Sequence, residues 1–167
     1  MALPPWAQAG PERRAHIERV VGLITQWAAA MGVSQPERTR WIRAAWLHDA
    51  LRDAPSPPGG NELAHGPLAA DRAAQDGEAD RGVLDAIRYH SLGYAGWDEV
   101  GRMLYLADFL EPGREYDQQE RRLLAARVPL ERDAVLRVVA HRRISWVLRS
   151  GWSLPPETVG FWNALVQ

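Results

Sequence analysis

The chain has 167 residues, 46% of them hydrophobic and 25% charged, with a formal net charge of −1, so we expect one globular domain with its own core and no nucleic-acid partner. It contains no cysteine, which excludes disulfides, thiolate metal ligands and a cysteine nucleophile. All twenty basic residues are arginine, which excludes a lysine Schiff base and a lysine-containing phosphate loop.

Helical periodicity dominates the sequence and alternating β-branched runs are nearly absent, so an all-α bundle of about seven helices is predicted. Residues 1–10 are predicted to form a loose arm and residues 11–167 a single domain. The first helix should run from 11 to about 31, and the second from Ser34 through the segment WIRAAWLHDALRD. Residues 54–62 (APSPPGGNE) are the clearest loop. Further helices are predicted at about 66–76, 78–90, 97–110, 115–126, 131–150 and 157–166.

No run of about 18 apolar residues is present, and the first residues lack the charged-then-apolar layout of a signal peptide. We therefore predict a cytoplasmic protein without a membrane partner. Eight tryptophans and several apolar helix faces would permit a homodimer, although packing in the hydrophobic core alone can also account for them.

Metal-type side chains on apolar stretches are the most informative feature. Five of them lie on predicted helices and His65 lies at a loop edge: His16, the adjacent pair His48 and Asp49, His90, and Asp108. A buried imidazole or carboxylate is costly without a partner, and a bound cation is an efficient partner. Helical bundles build metal sites from facing helices, so we predict a metal site to which four helices each contribute ligand residues.

Each histidine taken alone could instead be a core residue hydrogen-bonded to the backbone, in a bundle with a purely structural role. The adjacent His48-Asp49 pair and the distant Asp108 favour the metal interpretation, because a lone buried carboxylate needs a strong partner. Imidazole and carboxylate without sulfur suit iron, manganese, cobalt, nickel or zinc better than magnesium. The remaining histidine, His141, is predicted to have a packing or surface role.

The ordered set of His16, His48-Asp49 and Asp108 resembles the signature of the HD-domain metal phosphohydrolases. HGPLAA from His65, AIRYHSLG through His90 and LYLADFLEPGREY around Asp108 are similar to the symmetrical bis(5′-nucleosyl)-tetraphosphatases of bacteria (the YqeK type). This resemblance runs from about residue 13 to the C-terminus. It implies an HD-type helical bundle that cleaves diadenosine tetraphosphate symmetrically to two ADP by a metal-activated water.

The same resemblance implies a divalent cation, iron before the other candidates, held by four ligands: His16, His48, Asp49 and Asp108. The implied catalytic residues are Asp49, His65, His90 and Arg114. His65 and His90 would either supply some of the ligands of a second ion, with Asp49 bridging the two ions, or protonate the departing ADP oxygen. The residues implied around the small-molecule nucleotide are Arg19, Arg52, His65, His90, Ser91, Arg114 and Trp152.

The chain departs from the family pattern at several positions near the implied nucleotide. Arg52 stands where lysine is usual, Ser91 where threonine is usual, and Pro155 where a histidine is common, and the stretch between residues 53 and 65 is shorter. Two alternatives are therefore kept beside the main hypothesis. One is an HD phosphohydrolase acting on another nucleotide, and the other is a metal- and nucleotide-binding regulatory module without turnover.

Overall fold

The computed structural model describes residues 1–56 and 61–167, and these residues form helices and turns without a strand. Seven α-helices follow one another in the chain, with a short 3-10 turn at Glu62–Ala64 before the third. Their bounds are α1 Pro11–Ala30, α2 Gln35–Leu47, α3 His65–Gln75, α4 Arg81–Tyr89, α5 Glu99–Leu110, α6 Gln118–Arg149 and α7 Pro156–Val166. The predicted all-α bundle of about seven helices is confirmed.

Helix α5 forms the centre of the bundle, because it contacts α1, α2, α4 and α6. Nine of its twelve residues are buried, among them Met103, Leu104 and Tyr105. Burying a large apolar side chain contributes about 1.5–3 kcal/mol, so this helix supplies much of the core. Its last turn carries Asp108, which places that carboxylate against the surrounding helices.

Arg40 of α2 ties together the starts of α4 and α5. Asp80 caps α4 by accepting from the backbone N–H of Val83, and Asp98 caps α5 in the same way. The Arg40 guanidinium donates to the Asp80 and Asp98 carboxylates at 2.7 Å each, and this holds the pKa of Asp80 at about 2. With their starts fixed on one arginine, the two helices run to the ends that carry His90 and Asp108.

The structure corrects one predicted helix boundary. Helix α2 ends at Leu47 instead of continuing to Asp53, so His48 and Asp49 lie in the turns that follow it. The two helices predicted at 115–126 and 131–150 correspond to the two parts of α6, which meet at a kink at Glu131, after Pro129, where φ is −133° and ψ is 36°. A proline inside a helix removes one hydrogen bond and clashes with the preceding turn, which explains the kink.

The first ten residues, predicted as a loose arm, contact the body of the bundle. The Trp6 indole donates to Asp76 at 2.9 Å. The backbone N–H of Gln8 donates to the carbonyl of Ala50 at 2.7 Å, and that of Gly10 to the Asp53 carboxylate at 2.8 Å. The arm therefore lies against the turn that carries Asp49. The division of the chain into an arm and a single domain stays a prediction.

Part of the predicted 54–62 loop, residues 57–60, lies outside the described residues. In the part of the chain that the structure describes, no helix is both long and apolar enough to cross a lipid bilayer. The cytoplasmic location and the homodimer stay predictions.

Candidate metal centre and active site

Three histidines stand at helix or turn ends, where each imidazole bonds a main-chain carbonyl. Nδ1 of His48 lies 2.7 Å from the carbonyl oxygen of Ala45, three residues earlier. His65 and His90 make the same bond to the carbonyl three residues earlier, at 2.5 and 2.8 Å. The last carbonyls of a helix lack a helical partner, and a carbonyl can only accept. Nδ1 therefore carries the proton in all three rings, and Nε2 presents its lone pair to the interior.

His16, in the second turn of α1, is oriented by a hydrogen bond to a side chain instead of a carbonyl. Its Nδ1 lies 3.0 Å from Oε1 of Glu111, which directly follows α5 and is 2% exposed. Arg19 donates to Oε2 of Glu111 at 2.6 Å, as does the backbone N–H of Gly113. A Cβ on Gly113 would lie 2.2 Å from Nε of Arg19, so a larger residue there would displace the Arg19 side chain. With Nδ1 bonded to a carboxylate, His16 also turns Nε2 to the interior.

Asp49 stands between two groups of ligand atoms. Its Oδ2 lies 3.6 Å from Nε2 of His16 and 3.8 Å from Nε2 of His48. Its Oδ1 lies 3.3 Å from Nε2 of His65 and 3.4 Å from Nε2 of His90. Within each group of three the ligand atoms lie within 4.8 Å of one another, close enough to hold a metal ion. All five side chains are buried, and Asp49 belongs to both groups.

The ring nitrogens face one another in pairs. Nε2 of His16 is 3.4 Å from Nε2 of His48, and Nε2 of His65 is 3.1 Å from Nε2 of His90. Because Nδ1 is the bonded donor in every ring, each pair opposes two lone pairs unless a proton or a cation lies between them. Buried imidazole and carboxylate donors without sulfur are ligands for divalent transition metals. The residues present therefore fit a divalent cation.

Neighbouring carboxylates and burial determine the charge of the first histidine pair, His16 and His48. Burial opposes protonation of His16, but hydrogen bonds with Asp108 and Glu111 outweigh it and raise the pKa of His16 to about 9. Burial lowers the pKa of His48 to about 4, against the attraction of the Asp49 carboxylate. At neutral pH His16 would therefore carry a second proton, on Nε2, when no cation is bound. Binding of a cation must displace that proton.

Asp108 is the sixth of the ligand-type side chains, and both of its carboxylate oxygens have partners. Oδ1 lies 3.2 Å from Nε2 of His16 and 3.0 Å from Nη2 of Arg114. Oδ2 accepts from Nη2 of Arg143 at 2.9 Å. Burial alone would favour the neutral acid, but the His16 hydrogen bond and the two guanidinium groups hold the pKa of Asp108 well below its usual value. Asp108 is therefore a carboxylate whose Oδ1 faces the first histidine pair.

A cleft of about 330 Å³ opens beside His16, and three arginines and three glutamates are among the residues that line it. Arg19 and Arg114 stand on its wall, and Arg13 reaches through it to donate to Oδ2 of Asp49 at 2.7 Å. Three guanidinium groups beside a buried ligand cluster are suited to binding phosphate oxygens, which their planar donors match.

Two residues predicted near the nucleotide border the second histidine pair. Arg52 donates to the carbonyl of Glu62 at 3.2 Å, the same carbonyl that orients His65. Ser91 directly follows His90 and is half-buried. Both residues are thus beside the His65 and His90 rings, and their contact with a nucleotide stays a prediction.

Trp152 and His141 are not joined to the cluster. Trp152 is 58% exposed in the turn after α6, and its ring packs edge-to-face on Trp146 at 5.0 Å. His141 is exposed beside the Trp162 ring, 6.0 Å away. Across residues 1–56 and 61–167, no hydrogen bond, ion pair or ring contact links either of them to the six ligand-type side chains. The base-stacking role of Trp152 stays a prediction.

Sequence reasoning missed Arg13, Glu111 and Arg143. Arg13 precedes His16 by three residues and Glu111 follows Asp108 by three, so a search one helical turn from each predicted ligand would have found both. Arg143 lies 35 residues beyond Asp108 and carried no local signal. Its guanidinium nevertheless bonds Asp108 directly.

The chain is similar to several known proteins. The model of the HD domain family matches residues 13–113. A protein of Halalkalibacterium halodurans named symmetrical bis(5′-nucleosyl)-tetraphosphatase is 29% identical over 108 residues, which cover 64% of this chain and 57% of that protein. A Bacillus subtilis protein of the same name is 39% identical over 56 residues, or 33% of this chain and 30% of that one. The chain thus matches well under two thirds of the length of these relatives.

The fold also has a solved counterpart. A structure described as a predicted HD superfamily hydrolase involved in NAD metabolism, from Clostridium acetobutylicum, superposes with a TM-score of 0.78 at 21% identity. The match covers 94% of this chain and 90% of that one. At this level of identity the similarity concerns the fold.

Proposed function

Because this chain belongs to the HD-domain family, we propose that it is a divalent-metal-dependent phosphohydrolase that cleaves diadenosine tetraphosphate symmetrically into two ADP. The observation that carries the proposal is the convergence of four imidazole Nε2 atoms on the two oxygens of Asp49. The names of the similar proteins support the choice of substrate.

Four side chains would hold the first ion: His16, His48, Asp49 and Asp108. Iron is the ion that we propose, because the resemblance to the bacterial tetraphosphatases implies it. The nitrogen and oxygen donors also suit manganese, cobalt, nickel and zinc. When bound, a divalent cation supplies an activated water and polarises a phosphate oxygen. The chain's own part is to hold these ligands in fixed orientation in a buried site, which Glu111 and the carbonyl of Ala45 do through the two Nδ1 atoms.

The arginines of the cleft would position the phosphate chain. Arg19 and Arg114 line the cleft beside His16, and Arg114 also touches Oδ1 of Asp108. A guanidinium beside the reacting phosphoryl group can bind its equatorial oxygens and offset the charge that spreads over them in the transition state. Arg52 would contact the phosphates on the His65 side.

His65 and His90 have two candidate roles. With Asp49 they form the second group of ligand atoms, which would hold a second ion. With one ion only, either ring would instead donate a proton from Nε2 to the departing ADP oxygen, which is the role of a general acid. The number of metal ions per chain separates the two roles, and elemental analysis of purified protein measures it.

The test of the activity is incubation of the metal-analysed protein with diadenosine tetraphosphate, followed by ion-exchange chromatography. We expect two ADP for each substrate consumed, with no AMP or ATP. The Asp49→Ala variant should lose bound metal and activity together, because it removes a ligand from both groups. Asp71→Asn, which changes an exposed carboxylate paired with Arg88, is the control and should keep both.

Other products would contradict the proposal in identifiable ways. Release of phosphate from mononucleotides, with diadenosine tetraphosphate untouched, would indicate a hydrolase of another nucleotide. Nucleotide binding by the metal-loaded protein without any product would indicate a regulatory module. Metal and turnover retained by Asp49→Ala would exclude the site itself.

A further inference from the structure

Arg143 reaches from α6 to a predicted metal ligand on α5. Its Nη2 donates to Oδ2 of Asp108 at 2.9 Å and to the carbonyl of Tyr105 at 3.2 Å, and its Nη1 donates to the carbonyl of His90 at 3.4 Å. The guanidinium also lies over the Tyr105 ring, 4.2 Å from its centroid. Its side chain is only 18% exposed. The fork is thus fixed by the backbone around it, and Asp108 is the carboxylate it bonds.

The two oxygens of Asp108 therefore have different surroundings. Oδ1 faces Nε2 of His16 at 3.2 Å, on the side where the ligand atoms converge. Its guanidinium partner Arg114, at 3.0 Å, lines the open cleft with a side chain that is 41% exposed, against 18% for Arg143. Oδ2 is taken by Arg143 on the opposite, protein-filled side. A carboxylate can bind an ion through one oxygen or through both, and an oxygen already held by a rigid guanidinium is withheld from the ion.

We infer that Arg143 is a positioning residue that restricts Asp108 to one metal-facing oxygen. This inference rests on the metal centre proposed above. Catalytic metal sites keep a coordination position open for water or substrate, and a second Asp108 oxygen would compete for that position. Groups that form a hydrogen bond with a metal ligand, on its side away from the metal, commonly set its orientation in this way. Arg143 thereby acts on the reaction through Asp108, without touching the substrate.

Packing alone is a weaker explanation for a buried arginine here. The Nε of Arg143 is buried and has no hydrogen-bond partner among the described residues, which is unfavourable for a donor removed from water. An apolar side chain over the Tyr105 ring would avoid that cost. The bond to Asp108 is what a hydrophobic replacement could not supply.

The test uses the full-length protein loaded with cobalt(II), whose visible absorption weakens as its coordination number rises. Arg143→Met removes the partner of Oδ2, and Arg143→Lys keeps a charged donor. Arg142→Met is the matched control, since Arg142 is the adjacent arginine and pairs with Glu120 at the surface. Cobalt content, the visible spectrum, kcat and KM for the dinucleotide are measured for each variant.

We expect Arg143→Met to retain cobalt but to show weaker visible bands, with kcat lowered about 10–100-fold, the usual range for loss of a group behind a ligand, and KM little changed. Arg143→Lys should restore the spectrum and most of kcat, and Arg142→Met should match the parent. If Arg143→Met does not fold, Arg143→Gln replaces it, because its shorter, neutral side chain removes the guanidinium from Oδ2 and keeps a polar group at this position.

Three results would overturn the inference: a parent-like spectrum in the Arg143→Met protein, loss of its cobalt, or an Arg143→Lys protein that behaves like Arg143→Met. The proposed function would survive any of them, because the parent would still bind metal and hydrolyse the dinucleotide. A parent protein that binds no cobalt would overturn both.

Discussion

Asp49 is the residue on which the whole site depends, because one of its oxygens faces His16 and His48 while the other faces His65 and His90. The sequence predicted this residue from its neighbours: a histidine and an aspartate in succession, after an apolar stretch. It did not predict the orientation of the imidazoles. That orientation comes from acceptors which appear only once the chain has folded, such as the carbonyl of Ala45.

Glu111 is the clearest residue-level addition to the predicted set. Burial favours its neutral form, but the hydrogen bonds from His16 and Arg19 outweigh this and lower its pKa to about 2. Glu111→Gln would remove the charge behind His16, and we expect affinity for the divalent ion to fall about 10–100-fold. Titration of the metal-free protein with cobalt measures this. Glu120→Gln, at a surface ion pair, is the control, and equal affinities of the two variants would contradict the role of Glu111.

The helices themselves were largely predictable, since amphipathic periodicity and capping residues are local features of the sequence. Their ends were less so. Helix α2 stops at Leu47 although the apolar pattern continues, and the following turns are tied to the N-terminal arm through the Ala50 carbonyl and Asp53. These contacts join positions 42 or 43 residues apart, so no local pattern reports them. The break near residue 130 was found, but the flanking helices stay joined across it.

The packing of α3 on α4 depends on the absence of a side chain at Gly66. A Cβ there would lie 2.8 Å from the carbonyl oxygen of Arg88 and 3.0 Å from that of Ile87, and the Ile87 carbonyl orients His90. Both neighbours are backbone and cannot rotate away. We therefore expect Gly66→Ala to lower the free energy of unfolding by about 1–3 kcal/mol, as measured by urea denaturation, and to weaken metal binding.

Gly22→Ala is the matched control for this substitution. Gly22 lies in α1 and is exposed, and a Cβ added there would have no neighbour within 4 Å. Alanine is the better helix former by about 1 kcal/mol, so this variant should be slightly more stable than the parent. A Gly66→Ala protein that is equally stabilised would show that α3 and α4 do not pack as closely as described.

At the scale of the molecule, the buried ligand cluster should make stability depend on pH. The folded pKa of His16, about 9, is above its ordinary value of 6.5, so its contribution is fully present below pH 6.5 and is lost as the pH rises through 9. A shift of this size corresponds to about 3 kcal/mol. For a chain of this length we expect the melting temperature of chelator-treated protein to fall by roughly 6 to 12 °C over that interval.

A saturating divalent cation should flatten this pH dependence, because His16 then binds the ion in its neutral form. Differential scanning calorimetry between pH 6 and 9, with chelator and with cobalt, measures both profiles. Melting temperatures of the chelated protein that are constant or rising over this range would contradict the raised pKa of His16.

The hydrogen bonds at Nδ1 of the four imidazoles also limit which single substitutions can alter this centre. Three of the four rings are oriented by main-chain oxygens, which every amino acid supplies, so no codon change at the acceptor positions removes them. Substitutions at the residues that supply these carbonyls therefore leave the hydrogen bond to each Nδ1, and with it the basicity of the ring, unchanged. At His16 the acceptor is the Glu111 side chain, so a single substitution at position 111 can change the donor strength of that imidazole.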